Sequence, residues 1–252
     1  MDCLEELIAK TRHDRLVVVE QSMEELEENP ITDYIKRRLK TINLKELSKR
    51  FDLEVTYPLV FPDIETTGLT NTFSIVSLAY SVLSEDGKLT STCLFPPTYR
   101  LEREAIEYFF ENLGKEATLF TWNGTTFDIP RISDRARQRG VVANGSPAVT
   151  FKDHIQGRHI DLYRLRKEFD LPKEKDYGKL QTIERVIFGY ERRDDIHGRR
   201  IPEAYREWVY SRSNPQEVAK IIIHNIQDTV TPIAVMLKLC DRSKQPLKPV
   251  AA

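Results

Sequence analysis

The chain has 252 residues and a formal net charge of −1, with 40% hydrophobic and 31% charged residues. This size and composition are typical of a globular protein with a sizeable core, either one large domain or a core domain with an appendage. No stretch approaches the roughly 20 apolar residues that a membrane span needs, and the N-terminus lacks the basic start of a secretory signal. Three widely spaced cysteines, Cys3, Cys93 and Cys240, predict neither a disulfide framework nor a zinc site. We therefore expect a reducing cytoplasm and no membrane contact.

Charge is unevenly distributed along the chain. Acidic residues outnumber basic ones over residues 1–60, and basic residues outnumber acidic ones over residues 121–212. Ordinary solvated helix faces are the commoner explanation of an asymmetry of this size, and a positively charged surface beside a polyanion groove is the functional alternative. Charge alone leaves both interpretations open.

Residues 1–55 are predicted to be a mainly helical appendage. A short apolar run covers Leu16–Val19, Asn29-Pro30 marks a break, and apolar residues from Asp33 to Phe51 recur at mostly helical spacing. The segment carries no catalytic pattern. It is acidic and helical, so we expect it to contact a protein partner, to mediate dimerisation or to cap the sheet.

Residues 56–242 predict an α/β domain, followed by a short tail over residues 243–252. Three strands come first, ending at Asp63–Glu65, at Leu83 and at Phe95, with a hairpin signal at Glu85–Lys88 between the last two. Helices and short strands then alternate. The expected fold is a mixed sheet of three antiparallel strands followed by parallel strands, with helices on both faces. The later elements are predicted at Leu101–Leu113, Ala117–Trp122, Phe127–Gln138, His159–Phe169, Leu180–Phe188, Pro202–Tyr210 and Pro215–Cys240.

Two carboxylates stand two residues apart at the end of the first of these strands. Asp63 and Glu65 should share one face, because side chains alternate along a strand. Carboxylate oxygens suit Mg²⁺ and Mn²⁺, although an isolated Asp-x-Glu is usually structural. Pro62 precedes Asp63 and offers no N–H to a ladder, which predicts either a local irregularity or an end of pairing just before this site.

Two further segments place acidic residues at element ends. Asn123-Gly124 predicts a tight turn before Asp128, which falls near the start of a helix and could simply be a first-turn acid. His224 and Asp228 are four residues apart on a helix, so they share a face. A local His–Asp hydrogen bond is the structural alternative.

The three segments together resemble the three motifs of the DEDD group of exonucleases in the ribonuclease H-like superfamily. The motifs read Phe61-Pro62-Asp63-Ile64-Glu65-Thr66-Thr67-Gly68-Leu69, then Asn123-Gly124-Thr125-Thr126-Phe127-Asp128-Ile129-Pro130, then His224-Asn225-Ile226-Gln227-Asp228. The stretches Gln181–Glu184, Asp194–Gly198 and Ile201–Tyr205 are similar to the YprB-like branch. The resemblance covers about residues 57–240. It departs from the group in its third motif, because a histidine stands at the spacing that usually carries a tyrosine.

This resemblance implies a metal-dependent 3′–5′ exonuclease that hydrolyses phosphodiester bonds at the 3′ end of DNA or RNA, with a single-stranded end as substrate. Two divalent cations, Mg²⁺ or Mn²⁺, would do so by a two-metal mechanism. Their ligands would be Asp63, Glu65, Asp128 and Asp228. His224 would act as general base or, alternatively, only as a partner of Asp228.

Residues within and next to the motifs are candidates for nucleic-acid contact. Thr66 and Gly68 lie in a turn suited to the terminal sugar or phosphate, and Leu69 could wedge against the last base. Asn123 is a candidate for the backbone of the terminal nucleotide and Arg131 for a phosphate, although a solvated surface charge is the commoner role for an arginine.

Two rival functions remain open. One is a structure-specific endonuclease, since this sheet serves either cleavage mode. The other is a non-catalytic module that binds nucleic acid or protein. Retention of all four carboxylates favours an enzyme.

Overall fold

The computed structural model of the chain describes residues 8, 14–70, 72–114, 116–141, 151–169 and 178–242. The predicted tail, residues 243–252, lies outside this part of the chain. The strands are β1 (Val17–Ser22), β2 (Leu59–Thr66), β3 (Ile75–Leu83), β4 (Leu89–Phe95), β5 (Thr118–Thr121) and β6 (His159–Asp161). The helices are α1 (Pro30–Arg38), α2 (Leu44–Phe51), α3 (Glu102–Asn112), α4 (Asp128–Arg139), α5 (Phe151–His154), α6 (Leu180–Ile183), α7 (Ile201–Ser211) and α8 (Pro215–Arg242). Shorter 3₁₀ turns cover Leu39–Thr41, Tyr99–Leu101 and Leu162–Glu168, and a π turn, Glu184–Phe188, continues α6.

The six strands form one mixed sheet in the order β1-β4-β3-β2-β5-β6. Strands β1 to β4 pair antiparallel, and β5 and β6 join β2 in parallel. The predicted α/β fold, with antiparallel strands followed by parallel strands, is confirmed. The carboxyl ends of the parallel strands β2, β5 and β6 lie at the same end of the sheet. The predicted acidic residues lie at this end.

Helices cover both faces of the sheet, as predicted. Alternate side chains of β2 separate the two layers: Leu59 and Phe61 pack in one core, Val60 and Ile64 in the other. The first core lies under the long helix α8, and the second lies under α3 and α4. Among the described residues, no helix combines the length and apolarity that crossing a bilayer requires.

The N-terminal region differs from the mainly helical prediction in one respect. Residues Val17–Ser22 form β1, the edge strand of the main sheet, paired in register with β4. The apolar run predicted there becomes a strand because it covers the exposed edge of β4. The mostly helical spacing predicted from Asp33 to Phe51 corresponds to two helices, α1 and α2, and Asn43 caps the second by accepting from Lys45 N and Glu46 N. A domain boundary at residue 55 stays a prediction.

Pro62 lies inside β2 without interrupting its antiparallel pairing. It stands opposite Tyr80 of β3, while pairing with β5 ends at Val60. The N–H of Ile64, two residues further on, points away from β3 and donates to Asp128. Pro62 has the same orientation, so its missing N–H removes no bond to β3. Of the two outcomes that the sequence allowed, the end of pairing is correct, and it occurs on the β5 side.

Candidate active site

Asp63 and Glu65 lie on the same face of β2, as the alternation of the strand requires, and both face α8. The side-chain amide of Asn225 on that helix donates from Nδ2 to Asp63 Oδ2 over 2.7 Å. Asn225 is fully buried, and its Oδ1 has no partner among the described residues. The amide therefore fixes the orientation of Asp63 from the helix side of the cleft.

Asp128 is the first residue of α4 and is almost completely buried. Its Oδ1 accepts a hydrogen bond from the backbone N of Ile64 over 3.1 Å. This bond replaces the ladder bond that β5 no longer supplies, and it ties the second acidic segment to the strand that carries Asp63. The role is more specific than that of a first-turn helix acid.

A tight turn between β5 and α4 brings Asp128 into place. Asn123 adopts a left-handed conformation with φ of 67°, and a Cβ at Gly124 would come within 2.4 Å of Thr121 Oγ1, so glycine is required there. Asp161, at the end of β6, accepts from Asn123 N at 2.8 Å and from Thr125 N at 3.1 Å. Asp161 also caps the following 3₁₀ turn, as a helix cap would.

His224 and Asp228 share one face of α8 and meet Glu65 across the cleft. His224 Nε2 lies 3.4 Å from Glu65 Oε1 and 3.4 Å from Asp228 Oδ2. One ligand atom from each of the three residues falls within 4.8 Å of the others. Oxygen and imidazole donors at such spacing fit a divalent cation.

Three further residues complete the site, and the sequence patterns did not identify them. Arg192 is buried and forms ion pairs with both Asp228 and Glu184. Asp195 Oδ1 lies 2.6 Å from His224 Nδ1. Glu184 and Asp195 belong to the segments quoted for the branch resemblance, which was the available signal. Arg192 carries no periodicity or spacing that would have distinguished it from its neighbour Arg193.

Three of the clustered carboxyl groups, those of Asp63, Glu65 and Asp128, have raised pKa values. Burial, reinforced by the charges of Asp128, Asp228 and Glu65, raises the pKa of Asp63 well above its ordinary value. Burial raises the pKa of Asp128 to about 7 even though backbone N–H groups favour its charged form. The pKa of Glu65 is raised by burial as well. Uncompensated negative charge at this position is therefore costly, and a bound cation would relieve it.

The imidazole of His224 is affected in the opposite sense. Burial lowers its pKa, but the charge of Asp228 and the hydrogen bonds to Asp195 and Glu65 outweigh burial, so the pKa lies well above its ordinary value. The surrounding carboxylates therefore favour the protonated imidazole, whose charge compensates part of theirs.

A cleft of about 400 Å³ opens beside these residues. Asp63, Asp128 and Asp228 stand on one side, and the ring of Phe127 lines the cleft with Trp122 and Tyr163. Trp122 is fixed by donating from Nε1 to Gly178 O over 2.9 Å, and its ring contacts Tyr163 edge-on. The cleft combines acidic groups with aromatic surface, as required by a ligand with both phosphates and bases.

The predicted substrate contacts occupy different positions around this cleft. Asn123 lines it, and Leu69 is 77% exposed in the loop after β2. Thr66 is buried and donates from Oγ1 to Gly68 O, which holds the start of that loop. Arg131 lies on α4 with its guanidinium 3.9 Å from the centre of the Phe127 ring. Thr66, Gly68, Leu69 and Arg131 are therefore not among the residues that line the cleft.

A mixed sheet covered by helices on both faces, with carboxylates from three separate segments at one end, defines a ribonuclease H-like class of protein. The family model of the RNase H superfamily, RNase_H_2, matches residues 60–240, and the chain belongs to that superfamily. The superfamily includes nucleases, which supports nuclease function and a nucleic-acid substrate.

One curated relative is similar over part of this region. DNA polymerase 1 of Sulfurisphaera ohwakuensis is 30% identical over 131 residues, which is 45% of this chain and 15% of the polymerase. The chain therefore spans a small part of the length of that protein.

Proposed function

We propose that the protein is a metal-dependent 3′–5′ exonuclease of the DEDD group, in its YprB-like branch, acting on single-stranded 3′ ends of DNA or RNA. The observation that carries the proposal is the convergence of Asp63, Glu65, Asp128 and Asp228 at one cleft. They come from β2, from the start of α4 and from the middle of α8. Such costly clustering is retained where the charges hold cations.

The four carboxylates would hold two divalent cations, Mg²⁺ or Mn²⁺. Glu65 and Asp228 place ligand oxygens within 4.8 Å of each other beside His224, and the charge of Asp63 interacts with those of Asp128, Asp228 and Glu65. When bound, the cations supply an activated water and stabilise the attacking and leaving oxygens of an in-line displacement. The protein contributes by fixing the carboxylates: Asn225 orients Asp63, and the backbone of Ile64 orients Asp128.

His224 is proposed as the general base. Its Nε2 faces the space between Glu65 and Asp228, whereas its Nδ1 is held by Asp195. A base must be within hydrogen-bonding reach of the water that it deprotonates, and Nε2 is the nitrogen available for that purpose. Proton removal requires the neutral imidazole, which the positive charge of a bound cation would favour.

The substrate contacts are proposed around the same cleft. Exposed Leu69 would press against the terminal base, and Asn123 would contact the backbone of the terminal nucleotide. Thr66 and Gly68 shape the loop that receives the terminal sugar or phosphate. Arg131 would contact a phosphate with a guanidinium that Phe127 holds in place.

Labelled oligonucleotides test the proposed function. Single-stranded DNA and RNA carrying a 5′ label are incubated with the protein in Mg²⁺, in Mn²⁺ and in EDTA. We expect a ladder that shortens from the 3′ end with either cation and intact substrate in EDTA. A discrete internal product would instead identify an endonuclease, and intact substrate under every condition would identify a binding module.

His224→Ala is expected to lower the cleavage rate by roughly 100-fold, because proton transfer by a positioned base contributes at least this much. Single-turnover cleavage at saturating Mn²⁺ is the measurement. His197→Ala, which removes an exposed histidine outside the cleft, serves as control and should cleave like wild type. A decrease of only a few-fold would show that His224 merely supports Asp228.

A further inference from the structure

A cluster of ion pairs contacts the proposed catalytic groups of α8, Asp228 and His224. It consists of the buried side chains of Glu184 and Arg192 and the partly exposed side chain of Asp195, and none of the three lines the cleft. The side chains of Glu184 and Arg192 are 1% and 2% exposed. Their burial with opposite charges argues for a defined geometry, since such a pair adds little stability compared with apolar residues of the same volume.

Arg192 joins Glu184 to Asp228 through two kinds of contact. Its Nε donates to Glu184 Oε2 over 2.8 Å and its Nη2 to Glu184 Oε1 over 2.6 Å, a bidentate arrangement that only a guanidinium can make. The same Nη2 donates to Asp228 Oδ1. Asp228 Oδ2 is left facing His224 Nε2 and Glu65.

Glu184 also accepts a hydrogen bond from a side chain of α8. Thr231, three residues beyond Asp228 on α8, donates from Oγ1 to Glu184 Oε1 over 2.6 Å. The cluster is therefore anchored to α8 on both sides of the ion pair, and Asp228 has one oxygen committed to it.

Asp195 acts in the same way on the histidine. A carboxylate accepts and does not donate, so the contact of 2.6 Å to its Oδ1 places a proton on His224 Nδ1. In the neutral imidazole, Nε2 then carries the lone pair. That nitrogen is the one which faces Glu65 and Asp228.

We propose that Glu184, Arg192 and Asp195 form a positioning unit that directs one oxygen of Asp228 and one nitrogen of His224 towards the cation site. The inference rests on the proposed function, because that function assigns Asp228 as a cation ligand and His224 as the general base, the two groups that the unit would position. It assigns a role to residues outside the three exonuclease motifs. None of the three is a catalytic residue, since each acts through another side chain.

Electrostatics and positioning predict opposite effects for Arg192. As a positive charge beside a cation ligand, Arg192 would weaken metal binding, so its removal would strengthen binding. As a positioning residue it strengthens binding, and loss of comparable supporting hydrogen bonds lowers metal affinity by roughly 10- to 100-fold. The direction in which substitution of Arg192 changes the metal affinity therefore distinguishes the electrostatic effect from the positioning effect.

The test of Arg192 is Mn²⁺ titration calorimetry on the substrate-free protein. Arg192→Lys keeps the charge and loses the bidentate geometry, and we expect roughly 10-fold weaker binding or more. Glu184→Gln combined with Arg192→Gln removes both charges together, which avoids an unpaired buried glutamate, and should also weaken binding. Arg193→Lys, at the exposed neighbouring arginine, is the matched control. Unchanged or tighter binding by both cluster variants would overturn the proposal.

Proton NMR of the EDTA-treated protein tests Asp195 without metal or substrate. Wild type should show a downfield His224 Nδ1–H resonance, assigned through its absence in His224→Ala. Asp195→Ala should lose this resonance. Asp194→Ala should retain it, because Asp194 is 59% exposed and pairs with Lys220 on the surface. Retention of the resonance in Asp195→Ala would refute the assignment. Lack of nuclease activity in wild type would refute the proposed function and leave this resonance to decide the role of Asp195.

Discussion

Asp63→Asn is expected to lower the cleavage rate by roughly 1000-fold or more, equivalent to about 4 kcal/mol of activation free energy. Asp63 is proposed as a ligand of both cations, because its charge interacts with those of Asp128, Asp228 and Glu65, so its neutral amide would weaken the binding of both. The amide has the shape of the carboxylate and can still accept from Asn225 Nδ2, so we expect the fold to persist. The measurement is single-turnover cleavage of a 5′-labelled oligonucleotide with Mn²⁺.

Asp134→Asn is the matched control for this variant. Asp134 lies on the solvent side of α4, 53% exposed, and among the described residues it pairs only with Arg137, one turn away. The substitution makes the same chemical change outside the cleft, so the cleavage rate of Asp134→Asn should equal that of wild type. If Asp63→Asn cleaves at a rate close to wild type, the metal role of Asp63 is wrong.

Metal-free protein is expected to lose stability as pH rises from about 4 to 8. The pKa of Asp128 rises from 3.8 to about 7 on folding, chiefly through burial. Between these values the folded state binds more protons than the unfolded state, so the free energy of unfolding decreases with pH. The raised pKa of Asp63 and of Glu65 acts in the same sense. His224 contributes likewise, because its stabilising charge is lost as pH rises through its raised pKa.

Thermal melts in EDTA at pH 5.5 and pH 8 measure this effect. We expect a difference on the order of 3 kcal/mol, or roughly 5 to 10 °C for a chain of this size. Mn²⁺ should raise the melting temperature more at pH 8, because the cation binds deprotonated ligands in the folded state alone. Equal stabilisation by Mn²⁺ at both pH values would contradict a carboxylate cation site.

Asp128→Asn supplies the control within the same experiment. Asparagine retains an oxygen that can accept from Ile64 N and carries no charge. The variant should melt at a higher temperature than wild type in EDTA at pH 8 and should gain less from Mn²⁺. A metal-free variant that is destabilised at pH 8 would show that Asp128 is chiefly structural.

The local elements of the core domain could be predicted well from periodicity. The predicted bounds lie within a few residues of the observed bounds for three elements. These are the strand that carries Asp63, the strand that ends at Asp161 and the helix that carries His224. Such elements have long apolar faces, and burial of those faces determines their type. The short segment at residues 17–22 was missed because its strand character depends on β4, whose edge it covers.

The sequence by itself determined the order of the acidic residues and the face that Asp63 and Glu65 share, because alternation along a strand and spacing along a helix are local properties. Only the tertiary structure decided which side chains contact Asp228 and His224. Arg192 and Asp195 approach α8 from a segment that no local pattern connects to it. Ion pairs between distant segments depend on how the chain packs, so their partners cannot be inferred from residue type or spacing alone.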